Sequence, residues 1–192
     1  VTVYEVGLRD GLQNEAAFVP TTEKLALAEA LADAGLRRIE LTSFVSPRWI
    51  PQLADHAEVA RGAPRREGVV YTALVPNKRG LDGALAAGLP EIAVFMSASE
   101  AHSRKNINKS VDEAVEVLSP VVSAARAAGL RVRGHLSTVF GCPIEGEVDS
   151  GKAHEVVRRL LAMGIDELSL GDTIGVANPL QVRRFIARIG SD

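Results

Sequence analysis

Cysteine, aromatic residues and long apolar runs are all scarce in this sequence of 192 residues. Aromatic side chains make up 4% of it, and Cys142 is its single cysteine, which excludes an internal disulfide and suits a reducing compartment. No apolar run approaches the roughly 18 residues that a membrane span requires, and no signal-peptide pattern is present. We therefore predict a protein that does not enter a membrane and resides in the cytoplasm.

Long basic clusters are also missing. The formal net charge is -2, and the longest arginine runs are the pairs at 65–66 and 158–159. A surface that binds nucleic acid needs a denser basic stripe than this. The sequence thus predicts no nucleic-acid partner, and its 46% of hydrophobic residues suffices for a globular core.

Short β-branched segments alternate with longer amphipathic segments along the whole chain. The predicted strands are Thr2–Val6, Arg37–Thr42, Val69–Leu74, Glu91–Met96, Arg131–Leu136 and Glu167–Leu170. The predicted helices are Thr22–Ala34, Ile50–Arg61, Lys78–Ala87, Ser110–Ala128, Ser150–Met163 and Pro179–Ile189. Thr22 is a candidate cap for the first helix. Four glycines stand where left-handed residues end helices, namely Gly35, Gly88, Gly129 and Gly164.

This alternation predicts an α/β fold with a parallel sheet, either an open sheet or a barrel. An open dinucleotide-binding sheet favours a G-x-G-x-x-G turn after its first strand, whereas the segment at 7–13 lacks that spacing. The six units average about 32 residues, and eight of them would need about 256, close to the ~250 residues of a (β/α)8 TIM barrel. We therefore predict a barrel of which only about six βα units are present.

The predicted barrel domain spans residues 1–192 and lacks strands 7 and 8. The sequence begins at Val1 directly in a strand-like segment and ends just after the sixth helix, so we expect a trimmed chain. Without the last two strands, the first and sixth strands have edges with unpaired backbone groups, and such edges promote association with other chains. We therefore expect a homo-oligomer.

Polar residues follow the predicted strands, at the end where barrel enzymes build their active sites. Charged residues in or beside buried strands are costly unless they are paired or bind something. The most informative are Arg9, Asp10, Glu40 and Asp172. Asp10 is a hard oxygen ligand suited to Mg²⁺ or Mn²⁺, and Arg9 beside it could stabilise a developing oxyanion.

Three further features have two readings each. His135, at the end of strand 5, is either a packed histidine or a functional one. The polar, basic stretch 103–110 is either a solvated loop with Ser110 as a helix cap or a clamp for coenzyme phosphates. Cys142 is either a structural loop residue or a nucleophile, although no histidine is adjacent to it in the sequence.

Several segments resemble the 3-hydroxy-3-methylglutaryl-CoA lyase family. The first is Glu5-Val6-Gly7-Leu8-Arg9-Asp10-Gly11-Leu12-Gln13-Asn14-Glu15, whose core Arg-Asp-Gly-x-Gln is also found in isopropylmalate and homocitrate synthases. The other segments follow in order along the chain, at 42–52, 105–108, 132–134, 141–143 and 169–176.

The resemblance implies a metal-dependent barrel that cleaves 3-hydroxy-3-methylglutaryl-CoA to acetyl-CoA and acetoacetate, a reaction of leucine degradation and ketone-body metabolism. It implies Asp10 as a metal ligand and Arg9 as the residue at the enolate oxygen. Asp172 and Glu40 become further catalytic candidates, Asp172 for proton transfer. The implied substrate-binding residues are Arg9, Gln13, Ser43, His135, Ser169 and Thr173, with Lys105, Asn106 and Asn108 towards the coenzyme.

The sequence also departs from that family. The family's remaining metal ligands are a His-x-His pair and an asparagine from the last two strands, and no His-x-His occurs here. The family's catalytic cysteine also lies in that last part, so its role does not transfer to Cys142. Two alternatives therefore accompany the lyase hypothesis: a related acyl-CoA aldolase or condensing enzyme, and a truncated, non-catalytic barrel fragment.

Overall fold

The computed structural model of the chain describes residues 1–190 and contains six strands. They are β1 (Tyr4–Glu5), β2 (Arg38–Ser43), β3 (Val70–Leu74), β4 (Glu91–Ser97), β5 (Arg131–Ser137) and β6 (Glu167–Leu170). The six predicted strands are therefore confirmed. The predicted bounds shift by a residue or two, and most at β1, which is confined to two residues.

The strands form one sheet in sequence order, β1-β2-β3-β4-β5-β6. The registers of β1 with β2, β2 with β3, β3 with β4 and β5 with β6 are all parallel. In this order β1 and β6 are the edge strands. A parallel sheet with neighbours in sequence order requires a crossover between each pair of strands, which the intervening helices provide.

Within residues 1–190, seven α-helices connect or follow the strands. They are α1 (Thr21–Asp33), α2 (His56–Gly62), α3 (Lys78–Ala86), α4 (Glu100–Ile107), α5 (Val111–Ala127), α6 (Ser150–Ala162) and α7 (Pro179–Ile189). The four predicted C-cap glycines all have positive φ, between 67° and 94°, in agreement with the sequence pattern. No helix within residues 1–190 combines the length and apolar character that crossing a membrane demands.

Three local expectations need correction. Residues 103–107 are not loop, because α4 occupies Glu100–Ile107 and begins where the Ser99 side chain accepts a hydrogen bond from the His102 backbone N–H. Thr22 does not cap α1, which begins at Thr21 without a side-chain cap. The predicted helix at 50–61 is instead a short 3-10 helix at Pro51–Leu53, followed by α2.

Ser110 does cap a helix, as one of the two readings of that stretch holds. Its hydroxyl accepts from the Glu113 backbone N–H at 3.0 Å, and the Glu113 carboxylate accepts from the Ser110 N–H at 2.6 Å. This reciprocal pair satisfies two backbone donors at the start of α5. The Glu113 carboxyl therefore has a lowered pKa, chiefly because of that backbone hydrogen bond.

The chain divides into two compact units. The first comprises Val1–Ala93 with Ala124–Val132, and the second comprises Val94–Ser123 with the described residues from Arg133 onward. The first unit buries Leu8, Ala28, Ile39, Leu41 and Val59 completely, and the core of the second includes Val122, Leu136, Val157, Leu160 and Phe185. The single-domain organisation inferred from the sequence stays a prediction.

Buried ion pairs support the first unit. The Lys24 side chain is 1% exposed, and its Nζ lies 2.6 Å from Asp55 Oδ1 and 2.6 Å from the Gln52 carbonyl oxygen. The ring of Phe18 covers the same ammonium at 4.4 Å. On β2, the Arg38 guanidinium bonds both carboxylate oxygens of Glu91, at 2.5 and 2.7 Å. Each buried charge thus has an opposite charge beside it, as burial requires.

Candidate functional site

The guanidinium of Arg9 is held by two carboxylates at the carboxyl end of the first strands. Arg9 lies on the irregular helical turn Gly7–Gly11 that follows β1, and Glu40 lies within β2. Arg9 Nε donates to Glu40 Oε1 at 2.5 Å, and Arg9 Nη1 donates to Asp10 Oδ1 at 2.5 Å. The Arg9 side chain is 12% exposed, Asp10 is 54% exposed and Glu40 is 0% exposed.

Two of the three nitrogens of Arg9 are therefore committed to carboxylates. Nη2, with its two hydrogens, makes no hydrogen bond within residues 1–190. A guanidinium clamped on two edges loses little further conformational entropy when a third oxygen binds. The geometry therefore presents a rigid, positively charged donor for an anionic or polarised oxygen atom.

Asp10 and Gln13 form the outer part of this centre. Asp10 Oδ1 also accepts from Gln13 Nε2 at 2.9 Å, so the carboxylate is oriented by both Arg9 and Gln13. Oδ2 makes no hydrogen bond within residues 1–190 and can serve a hard divalent cation. No group of three or more His, Cys, Asp or Glu residues in that range is arranged to hold a metal ion. Asp10 thus fits as one ligand of such a cation, and the described residues do not complete the site.

Tyr4 belongs to the same centre and was not identified from the sequence. Its hydroxyl donates to Glu40 Oε2 at 3.3 Å, whereas Arg9 donates to the other carboxylate oxygen, Oε1. The guanidinium of Arg38 packs over the Tyr4 ring at 5.3 Å. Tyr4 and Glu40 are 36 positions apart in the sequence, so no local sequence pattern predicts the hydrogen bond between them. The one usable clue was that Tyr4 lies in the short strand β1, just before the turn that contains Arg9 and Asp10.

Strand β2 is irregular beside Glu40. Its register with β3 shifts between Glu40 and Thr42, which is typical of a β-bulge, and bulges often occur next to active sites. The hydroxyls of Thr42 and Thr72 are buried and have no hydrogen-bond partner within the described residues. Ser43, the last residue of β2, is also buried. The hydroxyls of Thr42 and Thr72 could therefore form hydrogen bonds with an internal water near Glu40.

The second unit contains a chain of neutral hydroxyl groups centred on Thr138. Thr138 follows β5, is completely buried, and has a φ of 58°. That left-handed conformation is rare for a β-branched residue and is stored strain, a feature that clusters at functional sites. The backbone N–H of Thr138 donates to Thr173 Oγ1 at 2.8 Å, and its hydroxyl donates to the Ser137 carbonyl oxygen at 2.7 Å. Ser97 Oγ lies 2.8 Å from Thr138 Oγ1.

The turn after β6 is tied closely to the end of β5. The Gly171 N–H donates to the Leu136 carbonyl oxygen at 2.8 Å, and the Val139 N–H donates to the Gly171 carbonyl oxygen at 3.1 Å. A Cβ on Gly171 would lie 3.2 Å from the Leu136 oxygen, so the close approach of the two backbones favours glycine. Thr173 is held in place by this turn and by Thr138.

Asp172, in the same turn, uses both carboxylate oxygens locally. Oδ1 accepts from the Val176 N–H at 3.1 Å, and Oδ2 accepts from the Ala177 N–H at 2.9 Å. Its orientation is thus fixed by its own loop, and each oxygen retains a further lone pair. His135 and Ser169 occupy paired positions of β5 and β6, so these two predicted residues are neighbours.

The predicted coenzyme residues lie on and after α4. Lys105 and Asn106 are exposed on its last turn, and Asn108 ends the helix in the left-handed conformation, with a φ of 54°. His102, one turn before, has a lowered pKa, because burial and then the charge of Lys105 disfavour its protonated form, while Glu145 opposes them. The ring of His102 contacts the hydroxyl chain, with Nδ1 at 3.1 Å from Ser97 Oγ.

Cys142 is 1% exposed and packs against this network. Its Sγ lies 3.1 Å from Ser99 Oγ and accepts from the backbone N–H groups of Ile144 and Glu145 at 3.3 and 3.4 Å. Burial raises the pKa of the Cys142 thiol, but the hydrogen bonds from Ser99, Glu145 and Ile144 outweigh burial, and the pKa is lowered on balance. The geometry favours the structural reading of this cysteine.

Two sets of predicted site residues are thus described, one in each unit. Arg9, Asp10, Gln13 and Glu40 contact one another directly in the first unit. In the second unit, Thr173 joins the Thr138 chain and His135 neighbours Ser169. It stays a prediction that the site residues of both units serve one site. A cleft of about 210 Å³ between α6 and α7, lined by His154, Val157, Arg158, Leu161 and Ile189, contains none of them.

A parallel sheet of βα units with a carboxylate-clamped arginine after its first strand defines an α/β protein equipped to bind an anionic or polarised oxygen. The chain belongs to the HMGL-like family, whose model matches residues 1–192. This confirms the family that the sequence motifs indicated.

Curated relatives and solved structures agree with this assignment. The chain is 53% identical over 186 residues to a hydroxymethylglutaryl-CoA lyase of Bacillus subtilis and 49% identical over 189 residues to the mitochondrial hydroxymethylglutaryl-CoA lyase of Bos taurus. These matches cover 97% and 98% of this chain but only 62% and 58% of the relatives. The chain therefore spans about three fifths of the length of these relatives.

Solved structures give the same result for the fold. The crystal structure of the Bacillus subtilis HMG-CoA lyase superimposes with a TM-score of 0.96 at 51% identity, covering 100% of this chain and 64% of that one. An HMG-CoA lyase of Acinetobacter baumannii, in complex with coenzyme A and 3-methylmalate, gives a TM-score of 0.94 at 36% identity, covering 99% of this chain and 62% of that one. The likeness confirms the predicted α/β fold class of a partial barrel.

Proposed function

We propose that the protein containing this chain is a carbon–carbon lyase that cleaves 3-hydroxy-3-methylglutaryl-CoA to acetyl-CoA and acetoacetate. The observation that carries the proposal is Arg9, whose guanidinium is fixed by Glu40 and Asp10 while Nη2 stays available. The family and its lyase relatives, each covered only in part, support the choice of this reaction for such a centre.

The reaction is a retro-Claisen cleavage. A base takes the proton of the tertiary C3 hydroxyl, and the C2–C3 bond breaks as the C3–O bond becomes the ketone of acetoacetate. The electron pair of the broken bond passes to C2, so that the thioester becomes an enolate whose charge lies largely on oxygen. Protonation of C2 then gives acetyl-CoA.

Arg9 stabilises the step that creates the enolate. The enolate oxygen carries more negative charge than the thioester oxygen of the substrate, so a cationic donor stabilises the transition state more than the ground state. Glu40 does not need to touch the substrate for this, because its carboxylate is completely buried and already contacts Arg9 and Tyr4. We assign Glu40 as a positioning residue for Arg9.

Asp10 would hold a divalent cation, with Mg²⁺ or Mn²⁺ preferred because the ligand is a hard carboxylate oxygen. Such a cation polarises substrate oxygens and lowers the pKa of a bound hydroxyl. Gln13 keeps the Asp10 carboxylate oriented for that role. The further ligands would come from outside the described residues, because no group of three or more His, Cys, Asp or Glu residues within 1–190 is arranged to hold an ion.

The remaining residues take substrate-binding roles in this proposal. Asp172, oriented by two backbone N–H groups, transfers a proton. Ser43, His135, Ser169 and Thr173 bind the acyl portion. Lys105, Asn106 and Asn108 bind the coenzyme portion, since α4 exposes a positive side chain and amide groups there.

The test is a substrate panel on the intact, metal-loaded protein. We expect rapid release of acetyl-CoA and acetoacetate from 3-hydroxy-3-methylglutaryl-CoA, dependent on Mg²⁺ or Mn²⁺. Condensation of acetyl-CoA with a 2-oxo acid, without cleavage, would replace this proposal with the related condensing enzyme. Failure to turn over any acyl-CoA would favour a non-catalytic barrel.

Two finer proposals accompany the activity. We propose a homo-oligomer, to be checked by sedimentation of the intact protein, in which a monomer at all concentrations would contradict it. We also propose a cytoplasmic location, although similar lyases include both mitochondrial and cytoplasmic forms. Fractionation of the source cells checks that location, and recovery in an organelle would overturn it.

A further inference from the structure

The hydroxyl chain of the second unit determines which ring nitrogen of His102 carries a proton. Three short polar contacts follow one another: Thr138 Oγ1 to the Ser137 carbonyl oxygen at 2.7 Å, Ser97 Oγ to Thr138 Oγ1 at 2.8 Å, and His102 Nδ1 to Ser97 Oγ at 3.1 Å. Each contact needs one hydrogen between its two heavy atoms. The carbonyl oxygen can supply none.

Only one arrangement supplies three hydrogens. The Thr138 hydroxyl donates to the Ser137 carbonyl, the Ser97 hydroxyl donates to Thr138 Oγ1, and His102 Nδ1–H donates to Ser97 Oγ. If Nδ1 carried no hydrogen, only the two hydroxyl hydrogens of Ser97 and Thr138 would be available for the three contacts. In one contact, the two heavy atoms would then face each other with lone pairs and no hydrogen between them. The Ser99 N–H donates to both Ser97 Oγ and Thr138 Oγ1. It therefore uses lone pairs of these two hydroxyls and supplies no hydrogen to the three contacts.

Neutral His102 with its proton on Nδ1 has a lone pair on Nε2. Burial and the neighbouring Lys105 lower the pKa of His102, which favours this neutral form. Nε2 makes no hydrogen bond within residues 1–190. The ring is also held at its backbone, since the His102 N–H donates to Ser99 Oγ at 3.0 Å. A rigid, half-buried hydrogen-bond acceptor thus stands on α4, one turn before Lys105.

We propose that His102 binds ligand, with Nε2 accepting a hydrogen bond from an N–H group of the coenzyme A moiety of the substrate. The inference rests on the proposed function for its ligand and on the hydroxyl chain for its chemistry. The Lys105 ammonium on the same helix supplies the positive charge that a phosphate-bearing ligand requires. The Nε2 acceptor beside the Lys105 charge requires a ligand that also has a hydrogen-bond donor. Coenzyme A carries N–H donors in its pantetheine amides and in its adenine amino group.

The tautomer is tested without any ligand. In intact protein labelled with ¹⁵N-histidine, the ring nitrogen shifts of His102 at neutral pH should show the proton on Nδ1. Thr138→Val retains the shape and the β-branch but removes the hydroxyl acceptor, so the Ser97 hydroxyl should turn to Nδ1 and the imidazole should become Nε2–H. A proton on Nε2 in the unaltered protein would overturn the hydrogen count and the proposal with it.

The ligand is tested by calorimetry with coenzyme A itself. His102→Asn places an amide donor near Nδ1 and lacks the Nε2 acceptor, and we expect about two- to tenfold weaker binding, the range for one hydrogen bond. Pantetheine and adenosine 3′,5′-bisphosphate serve as separate probes, and the loss should follow the fragment that carries the donor. Equal affinity of both proteins for coenzyme A and for both fragments would overturn the contact.

These outcomes are separable from the failure of the lyase proposal. Coenzyme A binding and the His102 shifts are measured without turnover, whereas the lyase proposal stands or falls on release of acetoacetate. A protein that binds coenzyme A through His102 but cleaves no 3-hydroxy-3-methylglutaryl-CoA would retain this inference and lose the reaction.

Discussion

The two units of the chain organise their polar residues in different ways. The first unit relies on full charges: Arg9 between Glu40 and Asp10, Lys24 beside Asp55, and Arg38 on Glu91. The centre of the second unit, around Thr138, relies on neutral hydroxyls and one imidazole, linked Thr173–Thr138–Ser97–His102. Charges stabilise a reaction in which charge develops, whereas hydroxyl chains orient donors and acceptors without placing ions in the core.

The largest expected effect lies in the buried charge pair of the first unit. Asp55→Ala leaves the Lys24 ammonium buried without its carboxylate and also removes the acceptor of the Thr21 hydroxyl. We expect a loss of about 3–5 kcal/mol in the free energy of unfolding, measured by chemical denaturation of the intact protein.

The matched control is the exposed pair Lys78–Asp82. Asp82→Ala should change stability by less than about 1 kcal/mol, because water screens that pair. Similar losses in the two variants would mean that burial does not set the value of charge pairs in this unit.

Arg9→Met tests the catalytic centre. It nearly preserves side-chain length but removes the donor at the enolate oxygen, so kcat for cleavage should fall by about 10²-fold or more, with a smaller change in KM. Arg9→Lys should recover only part of this loss, since a single ammonium cannot contact Glu40, Asp10 and an enolate oxygen in the same planar geometry. A kcat within a few-fold of normal in Arg9→Met would contradict the assigned role.

Thr138 tests the neutral chain. Thr138→Val preserves the β-branch and hence the strain of the left-handed backbone, so its effect isolates the hydroxyl. Ser97 and the Ser99 N–H lose a buried acceptor, and we expect a loss of about 1–3 kcal/mol in stability. Thr138→Ser keeps the hydroxyl and serves as the control. Equal unfolding free energies for the two variants would show that the hydroxyl contributes nothing.

The smallest expected effect is the contribution of His102 to the loss of stability in mild acid. Its pKa is lowered from 6.5 in the folded state, by burial first and by Lys105 second, with Glu145 acting in the opposite direction. Just below pH 6.5 the unfolded chain therefore binds more protons than the folded one, and the free energy of unfolding falls as pH falls through that window. Above the window the group has no effect. In His102→Asn this part of the pH dependence should disappear from unfolding curves, and an unchanged slope would assign it to other groups.

Much of the fold could be predicted because its signals are local. The strand positions follow from runs of β-branched residues, and the four glycines after helices have the left-handed φ that such ends need. The stretch at 103–110 was harder, since its polar residues cover an exposed helix with no apolar stripe to mark it. Ser99 caps that helix from outside the stretch.

The candidate site was predictable only in part. Arg9 and Asp10 are adjacent in the sequence, and Glu40 lies in a predicted strand, so their residue types and positions indicated a charged centre. Tyr4 as a partner of Glu40, the strained Thr138, and His102 in contact with Ser97 were not predictable. These contacts depend on how strands and helix ends meet, and single polar residues at such spacings are common in loops.

The sequence by itself determined the order of the βα units, the family, and the chemical character of the Arg9-Asp10 segment, because periodicity, glycine placement and adjacent residue types act over a few positions. The tertiary structure alone decided which nitrogen of Arg9 stays available and where the proton of His102 lies. Both depend on hydrogen-bond partners 31 to 41 residues distant, Glu40 from Arg9 and Thr138 from Ser97. A donor or acceptor has a defined state only when every partner around it is in place.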